Sequence, residues 1–196
     1  MKNVLTILSA LILFGVTFRY SYLILKHKIV PTLTTWLLFS IASGLSLLTY
    51  FSSSNHSISG NIINVMDLVM CWSILISLII VKKKLSLAFS RFEKVCLVLT
   101  GIILLFWLFT KEDVVANLLL QLILTIAYLP TITKLWRAKE SQESFGMWLA
   151  IVTASFLGFV SGLVQHDLLG SIYAFRSFVS VAVVLVLMIR IRHIQS

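Results

Sequence analysis

The chain has 196 residues, of which 59% are hydrophobic and only 12% charged, with a net charge of +9 and a mean hydropathy of +1.03. Soluble domains carry roughly 25% charged residues, so half that share cannot cover a water-facing surface. Uncharged apolar runs near the ~20 residues that cross a bilayer recur along the whole length. A soluble domain is excluded, and the basic residues, which lie mostly between the apolar runs, speak to topology and lipid headgroups rather than to nucleic acid.

Seven spans can be drawn. Lys2 and the apolar run behind it have the look of a signal peptide, but no small-x-small cleavage site precedes Arg19 and six further spans follow, so 4–25 reads as the first membrane helix. The second covers 33–51 and leads into the polar turn SSSNHSISGN, whose Asn55-His56-Ser57 is a weak glycosylation sequon. The third covers 61–81 and ends at Lys82-Lys83-Lys84; the fourth covers 95–110, followed by Lys111-Glu112-Asp113. The fifth, sixth and seventh cover 114–135, 145–165 and 171–189. Cys71 and Cys96 have no His or Cys at metal-ligating spacing and read as structural thiols; no metal or cofactor site is expected.

The loops after spans one, three and five carry Lys26 and Lys28; Lys82, Lys83, Lys84, Arg91 and Lys94; and Arg137 and Lys139, and the tail adds Arg190 and Arg192. The alternate loops hold only Lys111, beside two acids. Basic residues in short loops favour the cytoplasmic side, which predicts an outside N-terminus and a cytoplasmic C-terminus, in a plasma or bacterial inner membrane. Lys2 opposes this weakly.

A shift of 112 positions places Trp36 on Trp148, Ala42 on Ala154, Ser43 on Ser155 and Leu45 on Leu157; Gly60 then falls opposite Gly170 after a two-residue change of offset. The expected fold is an all-α polytopic membrane protein with seven transmembrane helices, arranged as two parallel three-helix repeats joined by a linker helix (3+1+3). Residues 1–84 form the first repeat, 85–113 the linker with the fourth helix, and 114–196 the second repeat with a basic tail.

The stretch YLPTITKLWRAKESQESFGMW, 128–148, organises the second repeat. Pro130 removes a backbone hydrogen bond and clashes with the carbonyl of Ile126, and the freed carbonyl must find another partner in lipid. A kink is expected there, serving either as an ordinary helix end with a basic anchor or as a hinge. Ser141 or Ser144 is expected to cap the sixth span, with Glu143 favourable near its positive end.

The 3+1+3 plan, the outside N-terminus and this stretch resemble the SWEET/PQ-loop superfamily of small-solute transporters. The motif is carried here by Pro130-Thr131, then Lys134-Leu135-Trp136-Arg137 and Lys139, then Ser141-Gln142-Glu143-Ser144-Phe145. Thr131 stands where many members have Gln, and Phe18 stands where the first half would have its Pro. The resemblance implies alternating access around a central site, with Tyr128, Pro130 and Thr131 at a hinge. It also implies a substrate site lined by polar residues of the third and seventh spans, for which Asn64 is the nearest match in the first half and Ser171 or Tyr173 in the second.

Charged residues inside spans cost about 2.5–3.5 kcal/mol at a helix centre on insertion scales, so Asp67 and Arg176 are informative. They sit at nearly equivalent points of the two repeats, about 9 Å from the outer ends of their spans. Asn64 and Cys71 share a face with Asp67, and Tyr173 and Ser180 share one with Arg176. Asp67 and Arg176 either face a cavity and bind solute or relay a proton, or they form a structural ion pair between the halves. Ala154, Gly158 and Gly162 form a small-residue ridge for packing inside the monomer or in a homo-oligomer. Trp72, Trp107, Trp136 and Trp148 are candidates for stacking on a sugar, the last two being better placed as interface anchors. His166-Asp167 reads as a solvated outer turn, with proton entry as the alternative.

A transporter of a small polar solute, a sugar or similar, is the first functional expectation. The alternatives are an amino-acid or other zwitterion transporter, or a seven-helix cargo receptor. The expected partners are the lipid bilayer and the solute, with no nucleic acid. No HExxH, GxSxG or His/Asp cluster supports an enzyme, and a seventh span without Lys disfavours a retinal receptor.

Overall fold

A computed structural model describes residues 2–29, 31, 33–54, 56–81, 89–138 and 144–195. The described residues are helical, without strands: α1 (Lys2–Leu25), α2 (Leu33–Ser52), α3 (Ile62–Val81), α4 (Arg91–Thr110), α5 (Asp113–Ile126), α6 (Leu129–Arg137), α7 (Phe145–Val164) and α8 (Leu168–Gln195). They supply seven segments long and apolar enough to cross a membrane, α5 and α6 together making the fifth. The 20-residue helices α2, α3, α4 and α7 each extend about 30 Å at 1.5 Å per residue, the thickness of the hydrocarbon core. Large apolar side chains such as Phe18, Trp72, Phe109 and Val186 point outward. In water such a surface would aggregate; in lipid it faces its own solvent. The protein is an integral membrane protein.

The break in the fifth span has a local cause. Ala127 N still donates to Ile123 O at 2.9 Å, but Tyr128 N tightens to Thr125 O at 3.1 Å, and regular bonding resumes only with Ile132 N to Tyr128 O. Pro130 has no N–H to offer the carbonyl of Ile126 and its ring crowds that carbonyl. The kink expected at Pro130 is therefore a two-residue turn just before it. It is packed against protein: Ala127 joins Leu38 and Cys96 in a buried cluster, and the Tyr128 ring meets Phe39 edge-on at 5.4 Å between centroids. By contrast α1 runs unbroken past Phe18.

Packing among the spans is specific. α3 lies against both α1 and α2, and α8 lies against α5, α6 and α7. Further contacts join α1 to α7, α2 to α5 and α3 to α8, while α4 rests on α2 and α5. One buried cluster takes residues from every span, including Leu13, Ala42, Ile63, Ile103, Leu120, Ala154 and Tyr173. The small-residue ridge of α7 faces inward: Ala154 is fully buried, Gly158 lies against Ile63 of α3, and Gly162 lies against Ser171 of α8.

Several local expectations change. α4 begins at Arg91 rather than 95 because Ser90 and Glu93 form a capping box, each side chain bonding the other's backbone N–H. Glu93 Oε1 also accepts from Thr34 and Thr35, each at 2.8 Å, which ties α4 to the start of α2. Ser144 occupies the N-cap of α7 but makes no side-chain cap bond; Ser141, Glu143, Asn55, Lys139 and Lys82-Lys83-Lys84 lie outside the described residues. Trp72 is 60% exposed on the lipid-facing side of α3, which removes it as a sugar platform. Trp107 donates to Asp113 Oδ1 at 2.6 Å.

Candidate functional site

Asp67 and Arg176, separated by more than a hundred residues, meet where α3 and α8 face each other. Asp67 Oδ2 lies 3.9 Å from Arg176 Nη2 and accepts the Tyr173 hydroxyl at 3.0 Å. At 3.9 Å the pair is a charge contact and not a hydrogen bond. Arg176 spends its Nε on Gln121 Oε1 at 3.1 Å, and its guanidinium lies over the Tyr173 ring, 4.5 Å from the centroid. Tyr128, at the break in the fifth span, brings its hydroxyl close enough to interact with Arg176. Nη2 has no hydrogen-bond partner.

A dense polar network supports this pair. Gln121 Nε2 donates to Ser46 Oγ at 2.8 Å and to Asn117 Oδ1 at 3.2 Å. Asn117 Nδ2 reaches the Ser46 carbonyl at 2.7 Å and Thr49 Oγ1 at 3.0 Å. Asn64 Nδ2 donates to Ser46 Oγ at 3.1 Å, and Asn64 Oδ1 accepts from Ser43 Oγ at 3.0 Å. Ser43, Ser46, Asn64 and Asn117 are buried. Polar groups in a bilayer must satisfy one another internally, and these do so across α2, α3, α5 and α8. Asn64, Asp67, Tyr173 and Arg176 thus fall in one network; Pro130 and Thr131 lie beyond the break, Pro130 exposed and Thr131 half-buried.

Sequence reasoning missed Ser43, Ser46, Asn117 and Gln121 as site residues. The signal was present in part: Asn117 and Gln121 are four apart in an otherwise uncharged apolar run, which puts two amides on one helix face.

A second polar centre closes the end of the bundle that carries the start of α1. The Asp167 side chain bonds the Tyr50 hydroxyl and accepts Gly170 N at 2.8 Å, capping α8. The Ser57 side chain accepts Gly60 N at 2.9 Å in the same way. The two turns touch: a Cβ at Gly170 would stand 2.8 Å from the Gly60 carbonyl carbon. Nearby, Thr6 and Ser161 hydroxyls are 2.7 Å apart, and Gln165 Nε2 reaches the Ser59 carbonyl at 3.2 Å. The solvated turn expected at His166-Asp167 therefore holds for only one of its two residues. His166 is exposed, but Asp167 is buried because it serves as both cap and cross-bundle acceptor.

Among the described residues no group of three or more His, Cys, Asp or Glu could hold a metal ion. The arrangement can do two things chemically: bind a polar solute at a charged pair in low dielectric, and hold one end of the bundle shut. Comparison of the chain with family models, with curated proteins and with solved structures finds no match.

Proposed function

We propose that the protein is a transporter of a small polar solute, working by alternating access between two three-helix halves of SWEET/PQ-loop type, 1–84 and 114–196, with 85–113 as linker. The observation that carries this reading is the buried Asp67–Arg176 pair. A charged pair in the membrane interior is costly to retain, and this one leaves a guanidinium nitrogen without a hydrogen bond at the meeting point of the halves. Structural pairing alone would favour a closer, fully bonded arrangement.

The parallel repeat draws support from paired environments. Ala42 and Ala154 are both buried, as are Ser43 and Ser155. Each serine bonds the third helix of its own half, Ser43 to Asn64 and Ser155 to Ser177. Ser57 and Asp167, related by the same offset as Gly60 and Gly170, make equivalent caps. The contacts of α1 with α7 and of α2 with α5 exchange with one another under a twofold relation of the halves. With the N-terminus outside, as the loop charges favour, the Tyr50–Asp167 closure lies at the outer face and the site is shut to the exterior.

Uptake of labelled sugars and amino acids into proteoliposomes tests the reading. Accumulation of at least one class above protein-free vesicles, competed by unlabelled solute, is the expected result. Complete absence of flux with ligand binding retained would instead indicate a seven-helix cargo receptor. Pro130→Ala, which restores an N–H to the fifth span, is expected to slow transport several-fold while leaving expression nearly unchanged; unchanged flux would reduce Pro130 to an ordinary helix break.

A further inference from the structure

We infer that the solute held between α3, α5 and α8 is a small zwitterion, its carboxylate on Arg176 Nη2 and its ammonium on Asp67. This assignment rests on the transporter reading above and names its substrate class. The Arg176 side chain is only 8% exposed, yet Nη2 makes no hydrogen bond. A buried N–H without an acceptor is expensive, and Asp67 at 3.9 Å is too far to supply one. Nε is already committed to Gln121, and the Tyr173 ring beneath the guanidinium restrains its plane. A carboxylate oxygen against Nη2 would complete the charge-assisted bond that is missing.

Asp67 offers the complementary half. Its side chain retains 16% exposure, whereas Asn64 and Tyr173, which flank it, are at 0% and 1%. Part of the Asp67 side chain is therefore open to the approach of an ammonium, while Tyr173 donates to Oδ2.

Charge balance selects between ligand classes. The pair is neutral as a unit, so a simple carboxylate would leave the site with a net negative charge and a simple amine with a net positive one. Burying uncompensated charge in low dielectric is strongly unfavourable; a zwitterion adds none. A sugar fits less well, because its several hydroxyls need partners while Ser43, Ser46, Asn64, Asn117 and Gln121 are bonded to one another.

The test compares matched probes on the purified full-length protein and in proteoliposomes: glycine with acetate, L-alanine with propionate, and glucose. The wild type is expected to bind the amino acid at least about tenfold more tightly than the matched acid, the scale of one charge-assisted bond, and not to bind glucose. Asp67→Asn is expected to invert the preference, with acetate or propionate raising the melting temperature of the variant but not of the wild type. Should the variant fail to fold, the wild-type ratio decides alone. Equal wild-type affinity for alanine and propionate would overturn the assignment. Glucose flux without amino-acid binding would overturn it and leave the transporter reading standing. Amino-acid binding with the predicted inversion but no flux of any probe would support the zwitterion site and overturn the transporter.

Discussion

Asp67→Asn is expected to destabilise the protein more than Arg176→Met, although both remove the same ion pair. Deleting one partner of a buried pair costs about 3–5 kcal/mol because the other charge is left uncompensated. The two survivors differ. A carboxylate left alone can take up a proton and become neutral, whereas a guanidinium keeps its charge under all ordinary conditions. Arg176, with its side chain 8% exposed and its Nε bonded to the neutral Gln121, has no such escape. A loss of about 3 kcal/mol is expected for Asp67→Asn, the lower end because Asp67 is 16% exposed, and about 1 kcal/mol for Arg176→Met. The double variant should recover most of the larger loss. Thermal melting of the three variants in detergent checks this; equal single losses would contradict the escape by protonation, and additive losses in the double variant would show that the charges do not sense each other.

Gly170→Ala should be the most damaging of the glycine substitutions. Its Cβ would stand 2.8 Å from the Gly60 carbonyl carbon and 3.0 Å from the Asp167 carboxyl carbon. Gly60 is itself pressed against the Asp167 side chain, so neither backbone can retreat, and the turn would have to part from its counterpart. Overpacking of this kind costs about 1–3 kcal/mol, and here it also opens the Tyr50–Asp167 closure. Gly101→Ala is the internal control: nothing lies within 4 Å of its added Cβ, and a mid-helix Gly→Ala change gains up to about 1 kcal/mol. A melting temperature for Gly170→Ala equal to that of Gly101→Ala would remove the close approach of the turns.

The spans were legible because the bilayer imposes length and apolarity on each helix independently of its neighbours. The break before Pro130 was legible for a similar reason: one missing N–H acts on the carbonyl four residues earlier, whatever packs nearby. The meeting of Asp67 with Arg176 was half legible, since two charges at similar depth suggest a pair but do not fix its separation. Ser43, Ser46, Asn117 and Gln121 escaped because serines and amides satisfy themselves across helices, and their partners are set by interhelical rotation, which sequence periodicity does not encode. Asp167 was misread for the same reason. Gln165 and His166 just before it are polar, but its cross-bundle partner is Tyr50, 117 residues away.

The alternating access proposed above requires the two proposed halves to separate at the end closed by Tyr50, Asp167, Thr6 and Ser161, and this can be tested by fastening that end. Thr6 on α1 and Ser161 on α7 bring their hydroxyls to 2.7 Å across the halves, which puts a cysteine pair there within reach of a disulfide, while the native Cys71 and Cys96 are buried. In Thr6→Cys/Ser161→Cys proteoliposomes, oxidation is expected to abolish solute uptake and a reductant to restore it, with each single variant unaffected by either treatment. Undiminished uptake in fully cross-linked protein would contradict alternating access between these halves.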